Sequence, residues 1–175
     1  LKPDGVGTEP ISRFRREAEF LEQLSQRSPS PYVVRFYDHG EVDVPNCGRL
    51  PFMVLELVDG PSLARVVFDL GGRGMPIGRA YRVLRDIVRA LSLVHAQGLV
   101  HRDLKPGNVL LACAGPHSPE IAKVTDFGLV KQRNLRVTAT TALVGATLAY
   151  APPEQYEAGN ARVGPWTDLF SFAAM

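Results

Sequence analysis

The stretch HRDLKPGNVLL, residues 101–111, places an Asp, a Lys and an Asn within six residues, directly before an apolar run. The Pro-Gly pair at its centre does not fit a regular helix or strand, so the segment is predicted to be a loop. Side chains on such a loop can converge on one point. Asp103, Lys105 and Asn108 are therefore candidate functional residues, followed by the short predicted strand NVLLA.

A second carboxylate, Asp126, follows the next predicted strand in the sequence TDFG. Asn and Asp oxygens are hard ligands for Mg²⁺, which in proteins commonly binds one or two such groups together with substrate phosphates. Asp103 could orient and deprotonate a hydroxyl, and Lys105 could offset charge on a transferred group. The alternative is that each is an ordinary polar loop residue. As a set, they predict phosphoryl transfer, which requires a base, a cation and metal ligands.

The composition is that of an ordinary globular protein. The 175 residues, 45% apolar and 22% charged, predict one domain or part of a larger one. The formal net charge of +2 favours no polyanionic partner, so we expect no nucleic-acid ligand. Cys47 and Cys113 lack metal-ligand spacing and are expected to be reduced thiols of a cytoplasmic protein.

The chain contains no apolar run of the ~18 residues that a membrane helix needs, and its first residues do not resemble a signal peptide. It begins with Leu1 rather than Met, so we expect it to start inside a longer protein. Periodicity and turn residues predict the secondary structure. The predicted elements are a helix from Ser12 to Gln26, strands in YVVRFYDHGEV and PFMVLELV, a short helix in SLARVVFDLGG, a long helix over 77–97 with Gly98 as its C′ residue, strands NVLLA and IAKVT, and a helix in WTDLFSFAAM.

Three motifs in this order, HRDLKPGN, DFG and PPE, resemble those of the eukaryotic-type protein kinases. The sequences YDHGE, HAQGLVHRDLKPGNVLL and PEQ are closest to bacterial members of that family. The resemblance covers nearly the whole chain. It implies an α+β, protein-kinase-like two-lobe fold, present in part, with residues 1–58 in a partial N-terminal lobe and residues 59–175 in a partial C-terminal lobe.

The resemblance also implies roles for the polar residues, with ATP and Mg²⁺ as the ligands. Asp103 corresponds to the catalytic base and Lys105 to the lysine near the γ-phosphate. Asn108 and Asp126 correspond to the magnesium ligands. Glu17, in RREAEFL, corresponds to the helix glutamate that pairs with the ATP-binding lysine, although it could also be a solvated helix residue.

Apolar positions near the nucleotide follow from the same resemblance. Leu55 corresponds to the gatekeeper, Glu56 and Val58 to the hinge whose backbone binds adenine, and Leu110 to the floor of the adenine site. By periodicity alone, the apolar residues among them are simply core residues. The side chains expected to stack between the lobes are Leu21, Phe36, His101 and Phe127.

The segment after DFG is expected to regulate the enzyme. Arg102 would pair with a phosphate on this segment, and the candidate acceptors are Thr138, Thr140 and Thr141, which could equally be unmodified hydroxyls. The remaining positions match family residues with structural roles. They are Gly128 of DFG, Thr147 against Asp103 and Lys105, and Asp168 bonded to the backbone of the HRD loop. Glu154 matches a family glutamate whose Arg partner lies on later helices, which this chain is expected to lack.

Lys105 two residues after Asp103 is typical of Ser/Thr kinases, so the expected partner is a protein with a Ser or Thr acceptor. Three features depart from the family pattern. No glycine-rich loop precedes Glu17, and Lys2 is expected to be a loop residue rather than the ATP lysine. Pro152 replaces a small residue. The alternatives are a pseudokinase that acts as a binding module, or a small-molecule kinase. Small-molecule kinases lack the segment from DFG to PPE that this chain has, so the sequence argues against that alternative. The sequence predicts no oligomeric state.

Overall fold

The computed structural model describes residues 8–113, 115, 118–127, 149–155 and 163–175. Its elements are helices α1 (Thr8–Arg27), α2 (Leu63–Asp69), α3 (Ile77–Ala96) and α4 (Pro165–Ala173), strands β1 (Phe36–Val44), β2 (Gly48–Leu55), β3 (Val109–Ala112) and β4 (Ile121–Val124), and 3₁₀ turns at Pro106–Asn108 and Pro153–Gln155. Helices combined with small antiparallel sheets agree with the predicted α+β class.

Helix α1 begins at Thr8, one turn before the Ser12 start that the sequence predicted. Its core-facing residues are Ala18, Leu21 and Leu24, all at most 5% exposed and spaced three residues apart, so that they lie on one face of the helix. This face contacts the hairpin of β1 and β2.

The β1–β2 hairpin is antiparallel and runs from the pair Phe36–Leu55 to the pair Val44–Gly48. Its turn contains Asn46 and Gly48, both with positive φ, a conformation that these two residue types adopt readily.

The predicted strand start at Tyr32 is wrong, because β1 begins only at Phe36. The backbone of residues 32–34 bonds instead to β4: Val34 N–H donates to Val124 O at 3.0 Å, and Val124 N–H donates to Tyr32 O at 2.8 Å. These bonds place the chain after α1 beside the strand that leads to Asp126.

Helix α3 contributes a row of buried side chains to the core. Five apolar side chains at helical spacing, Val83, Ile87, Ala90, Leu91 and Val94, are at most 3% exposed. The helix ends in a Schellman motif: Gly98, with φ of 76°, donates to His95 O, and Leu99 donates to Val94 O. The predicted C′ glycine is confirmed.

Strands β3 and β4 form a second antiparallel hairpin, and β4 packs on α3. Helix α4 begins at Pro165, one residue before the predicted stretch WTDLFSFAAM, because a proline fits the first helical position without losing a hydrogen bond. Three polar residues of α4, Thr167, Asp168 and Ser171, are at most 2% exposed, so each requires a hydrogen-bond partner inside the protein. Within the described ranges, no helix is both long and apolar enough to cross a membrane.

Candidate active site

The loop before β3 brings the three predicted polar side chains together. A 3₁₀ turn at Pro106–Asn108 folds the chain back, so that Asn108 N–H donates to Lys105 O at 2.9 Å. Lys105 Nζ lies 2.9 Å from Asp103 Oδ2, and Asn108 Nδ2 donates to the same oxygen at 3.0 Å and to Asp103 O at 2.9 Å. Asp103 is only 9% exposed, so these contacts fix one orientation of its carboxylate.

Asp168 of α4 holds the backbone of this loop. Its carboxylate is fully buried and accepts hydrogen bonds from His101 N–H on Oδ2 and from Arg102 N–H on Oδ1, both at 2.8 Å. Arg102 has a left-handed φ of 68°, a conformation that costs a non-glycine residue energy, and the two bonds offset that cost. The loop that carries Asp103 is therefore fixed to α4.

His95 also contacts Asp168, and the sequence reasoning missed it. Its Nε2 lies 2.7 Å from Asp168 Oδ2. The available signal was its position one turn after Leu91, on the core-facing side of α3, where a polar side chain requires a partner. The partner could not be identified from sequence because it lies 73 residues away.

His101 links the loop to the DFG segment. The imidazole is fully buried: its Nδ1 accepts from Asp103 N–H at 3.3 Å, and its Nε2 donates to Thr125 O at 2.9 Å. Burial lowers the pKa of His101, which fits a neutral ring with one donor and one acceptor. The Phe127 ring lies 4.7 Å from the imidazole, and Leu21 and Phe36 belong to the same buried cluster.

The DFG segment places Asp126 where a cation could reach it. Thr125 N–H donates to Asn108 O at 3.0 Å, and Asp126 is exposed, with a left-handed φ of 56°. The Asn108 side chain directs its amide nitrogen at Asp103, so Asn108 Oδ1 lies on the side away from Asp103. This oxygen has no hydrogen-bond partner among the described residues. Amide and carboxylate oxygens are the kind of group that could bind a divalent cation, and no group of three or more His, Cys, Asp or Glu in the described segments could hold a metal ion.

Glu17 of α1 lies close to this segment. It is 7% exposed, and burial, with a smaller contribution from the charge of Asp126, raises the pKa of Glu17 to about 7. No cation pairs with its carboxylate among the described residues, and Lys2 lies outside them. Its predicted pairing with a lysine stays a prediction.

The hinge segment after β2 leaves two backbone groups open. Glu56 N–H donates to Arg35 O at 2.8 Å, whereas Glu56 C=O and Val58 N–H have no hydrogen-bond partner within the described residues. A carbonyl and an N–H two residues apart present an acceptor and a donor, which is what the edge of an adenine requires. Leu55 and Leu110 are both partly buried.

The Glu56 side chain has a structural partner that the sequence did not predict. Its carboxylate lies 2.7 Å from Lys123 Nζ of β4 and accepts from Arg35 N–H at 3.1 Å. Burial acts to raise the pKa of Glu56, but the hydrogen bonds from Lys123 and the Arg35 backbone outweigh it and hold the pKa below its usual value. The hinge is thereby tied to the strand that leads to Asp126.

Glu154 of the PPE sequence receives a hydrogen bond from Thr167 Oγ1 at 2.9 Å. The arginine that the resemblance implied as its partner is not found within the described residues. Five predicted positions lie outside the described residues: Gly128, Thr138, Thr140, Thr141 and Thr147.

Comparison with known proteins identifies the family. The family model for the protein kinase domain matches residues 3–175. The chain is 38% identical over 176 residues to "Serine/threonine-protein kinases drp72" of Corynebacterium efficiens, covering 100% of this chain and 31% of that protein. It is 35% identical over 165 residues to the serine/threonine-protein kinases PknL and PknA of Mycobacterium tuberculosis, covering 94% of this chain and 37% and 35% of those proteins.

The chain thus spans about a third of the length of the curated relatives it matches. The match extends over the loop, the DFG segment and α4, which are the parts that form the described site. The predicted resemblance is confirmed, and the chain belongs to the protein kinase domain family.

Proposed function

We propose that the protein transfers the γ-phosphoryl group of Mg-ATP to a Ser or Thr hydroxyl of a protein substrate. The observation that carries this proposal is the geometry around Asp103, whose Oδ2 lies 2.9 Å from Lys105 Nζ and 3.0 Å from Asn108 Nδ2. A base, a cation and a metal ligand within hydrogen-bonding distance of one another are what an in-line transfer requires.

In the proposed step, Asp103 accepts the proton of the acceptor hydroxyl while the hydroxyl oxygen attacks the γ-phosphorus. The bond between the γ-phosphorus and the oxygen bridging it to the β-phosphate breaks. ADP leaves, and a phosphoester remains on the substrate. Lys105, beside Asp103, offsets charge on the transferred group.

Asn108 and Asp126 are the proposed ligands of Mg²⁺, which neutralises phosphate charge when it is bound. Glu56 C=O and Val58 N–H would bind the adenine edge, between the apolar side chains of Leu55 and Leu110. Glu17 would pair with the lysine of the ATP site. In support, the carbonyl and the N–H of the hinge have no competing partner within the described part of the chain.

Four narrower proposals follow. Lys105 in DLKPGN supports Ser or Thr as the acceptor, and the relatives at 35–38% identity are named serine/threonine-protein kinases. A phosphate on Thr138, Thr140 or Thr141 would pair with Arg102 and order the segment after DFG.

We further propose that the lobes divide at residues 58 and 59. We also propose that the protein acts in the cytoplasm, in keeping with its two free cysteines.

The test is a phosphotransfer assay on the full-length protein, with γ-labelled ATP, Mg²⁺ and a general protein acceptor, followed by phosphoamino-acid analysis. We expect label on Ser or Thr, and a loss of about 10²- to 10⁴-fold in kcat for Asp103→Ala. Asp69→Ala, on an exposed part of α2, is the matched control and should retain full activity. Nucleotide binding without any transfer would favour a binding module instead.

A further inference from the structure

Thr167 is a buried polar residue that the proposed reaction does not use. It is 0% exposed and directly precedes Asp168, which is also 0% exposed. Both lie in the first turn of α4. Burying a hydroxyl costs free energy unless it forms hydrogen bonds. The hydrogen-bond partners of Thr167 therefore indicate its role.

The hydroxyl of Thr167 makes two bonds, which together fix the direction of its proton. Oγ1 accepts from Gly164 N–H at 3.2 Å and donates its single proton to Glu154 Oε1 at 2.9 Å. A hydroxyl has only one proton, so this donor is committed to Glu154. A bond to a carboxylate is also stronger than one between neutral groups.

Consecutive residues of α4 therefore hold two separate segments. Asp168 holds the loop by accepting from His101 N–H and Arg102 N–H, and Thr167 holds the 3₁₀ turn at Pro153–Gln155. Their Cα atoms are ~3.8 Å apart in one helical turn, so the two attachments cannot move independently. A shift of the turn would be transmitted to the loop that carries Asp103.

We infer that Thr167 is a positioning residue, which couples the Glu154 segment to the catalytic loop through the first turn of α4. The inference rests on the proposed kinase activity. It predicts an effect on the chemical step and not on nucleotide binding, because no described hydrogen bond joins α4 to the hinge.

The experiment compares Thr167→Val, which keeps the shape but lacks the hydroxyl, with Thr167→Ser, which keeps the hydroxyl, in the full-length protein. We expect Thr167→Val to lower kcat about ten-fold or more while the KM for ATP changes less than about two-fold. Thr167→Ser should restore most of kcat. Glu154→Ala should lower kcat similarly, and the double variant Thr167→Val with Glu154→Ala should be no worse than either single variant.

A second readout is amide hydrogen exchange of residues 101–105 and 149–155. Thr167→Val should accelerate amide exchange in both segments. Thr167→Ser should leave the exchange rates of both segments unchanged. A lower melting temperature with unchanged kcat and unchanged exchange in both segments would overturn the inference, as would additive effects of the two single variants. If the unmutated protein transfers no phosphate, the proposed function fails, and the exchange measurement decides the coupling by itself.

Discussion

At the scale of single residues, a replacement of Asp168 can remove a hydrogen-bond acceptor without changing the shape of the side chain. Its two oxygens each accept one backbone N–H, at 2.8 Å, in a site with no solvent exposure. Asparagine has the same shape but only one acceptor oxygen, so Asp168→Asn sets an NH₂ donor against a backbone donor. We expect a loss of about 2–4 kcal/mol in the free energy of unfolding, measured by urea denaturation.

The same exchange at Asp69 is the control for Asp168→Asn. Asp69 is exposed, and among the described residues it pairs only with Arg65 of the same helix, at 2.9 Å, so Asp69→Asn should cost less than about 1 kcal/mol. Equal losses at the two sites would mean that the contacts of Asp168 with the loop contribute little to stability.

The contacts that could be predicted from the residues themselves are those within contiguous motifs, whereas the bonds of Asp168 to the backbone of the HRD loop were predicted only through the family resemblance. Asp103, Lys105 and Asn108 lie within six residues, and their mutual contacts follow from one tight turn. Lys123 and Thr167 were missed, because their partners, Glu56 and Glu154, lie 67 and 13 residues away. Periodicity shows which face of an element is buried, but not which remote polar group meets it.

At the scale of elements, the strands and the helices were predictable from periodicity and turn residues, whereas the path of residues 32–35 was not. An apolar stretch such as YVVRF fits a strand in either sheet. The hydrogen bonds to Val124 decide the matter, and they depend on where β4 lies in the folded chain. The exact ends of the helices and strands could not be predicted for the same reason.

Gly60 offers a test at this scale. It has φ of 152° and lies against β3, so close that an added Cβ would fall 1.9 Å from Leu111 O. Backbone cannot move aside as a flexible side chain can, and the neighbouring bond from Leu111 N–H to Pro61 O, at 2.9 Å, holds the two segments together. Gly60→Ala should therefore lower the free energy of unfolding by about 2 kcal/mol or more.

Gly74→Ala is the matched control for this position. An added Cβ at Gly74 would meet nothing within 4 Å, and its backbone φ is not positive. We expect a change within about 0.5 kcal/mol, or a slight stabilisation through the unfolded state. A Gly60→Ala variant that is as stable as Gly74→Ala would show that the hinge and β3 can separate without cost.

At the scale of the whole molecule, the segments that carry the site are joined by buried and partly buried polar contacts across sequence-distant elements. The hinge is bonded to β4 through Glu56 and Lys123, the loop to α4 through Asp168, and α3 to β4 through Asp86, which is 2% exposed and accepts from Ala122 N–H at 3.4 Å. Stability and site geometry are therefore expected to change together when such a contact is lost.

The buried carboxyl of Glu17 should make the stability of the 175-residue chain depend on pH. Its pKa is about 7 in the folded chain against 4.5 ordinarily, so between these values the folded state holds a proton that the unfolded state has lost. The bound proton adds to the free energy of unfolding. This stabilisation is fully present below pH 4.5 and is lost as the pH rises through 7, an effect on the order of 3 kcal/mol.

Glu17→Gln isolates this contribution, because glutamine stays neutral and the other titrating groups are unchanged. We expect the difference in unfolding free energy, Glu17 protein minus Glu17→Gln, to fall between pH 4.5 and 8 in urea titrations with a metal chelator. Glu19→Gln, at an exposed position of the same helix, is the matched control for the loss of one carboxylate. A difference that rises with pH would mean that a cation faces Glu17 and stabilises its charged form, as the proposed lysine of the ATP site would.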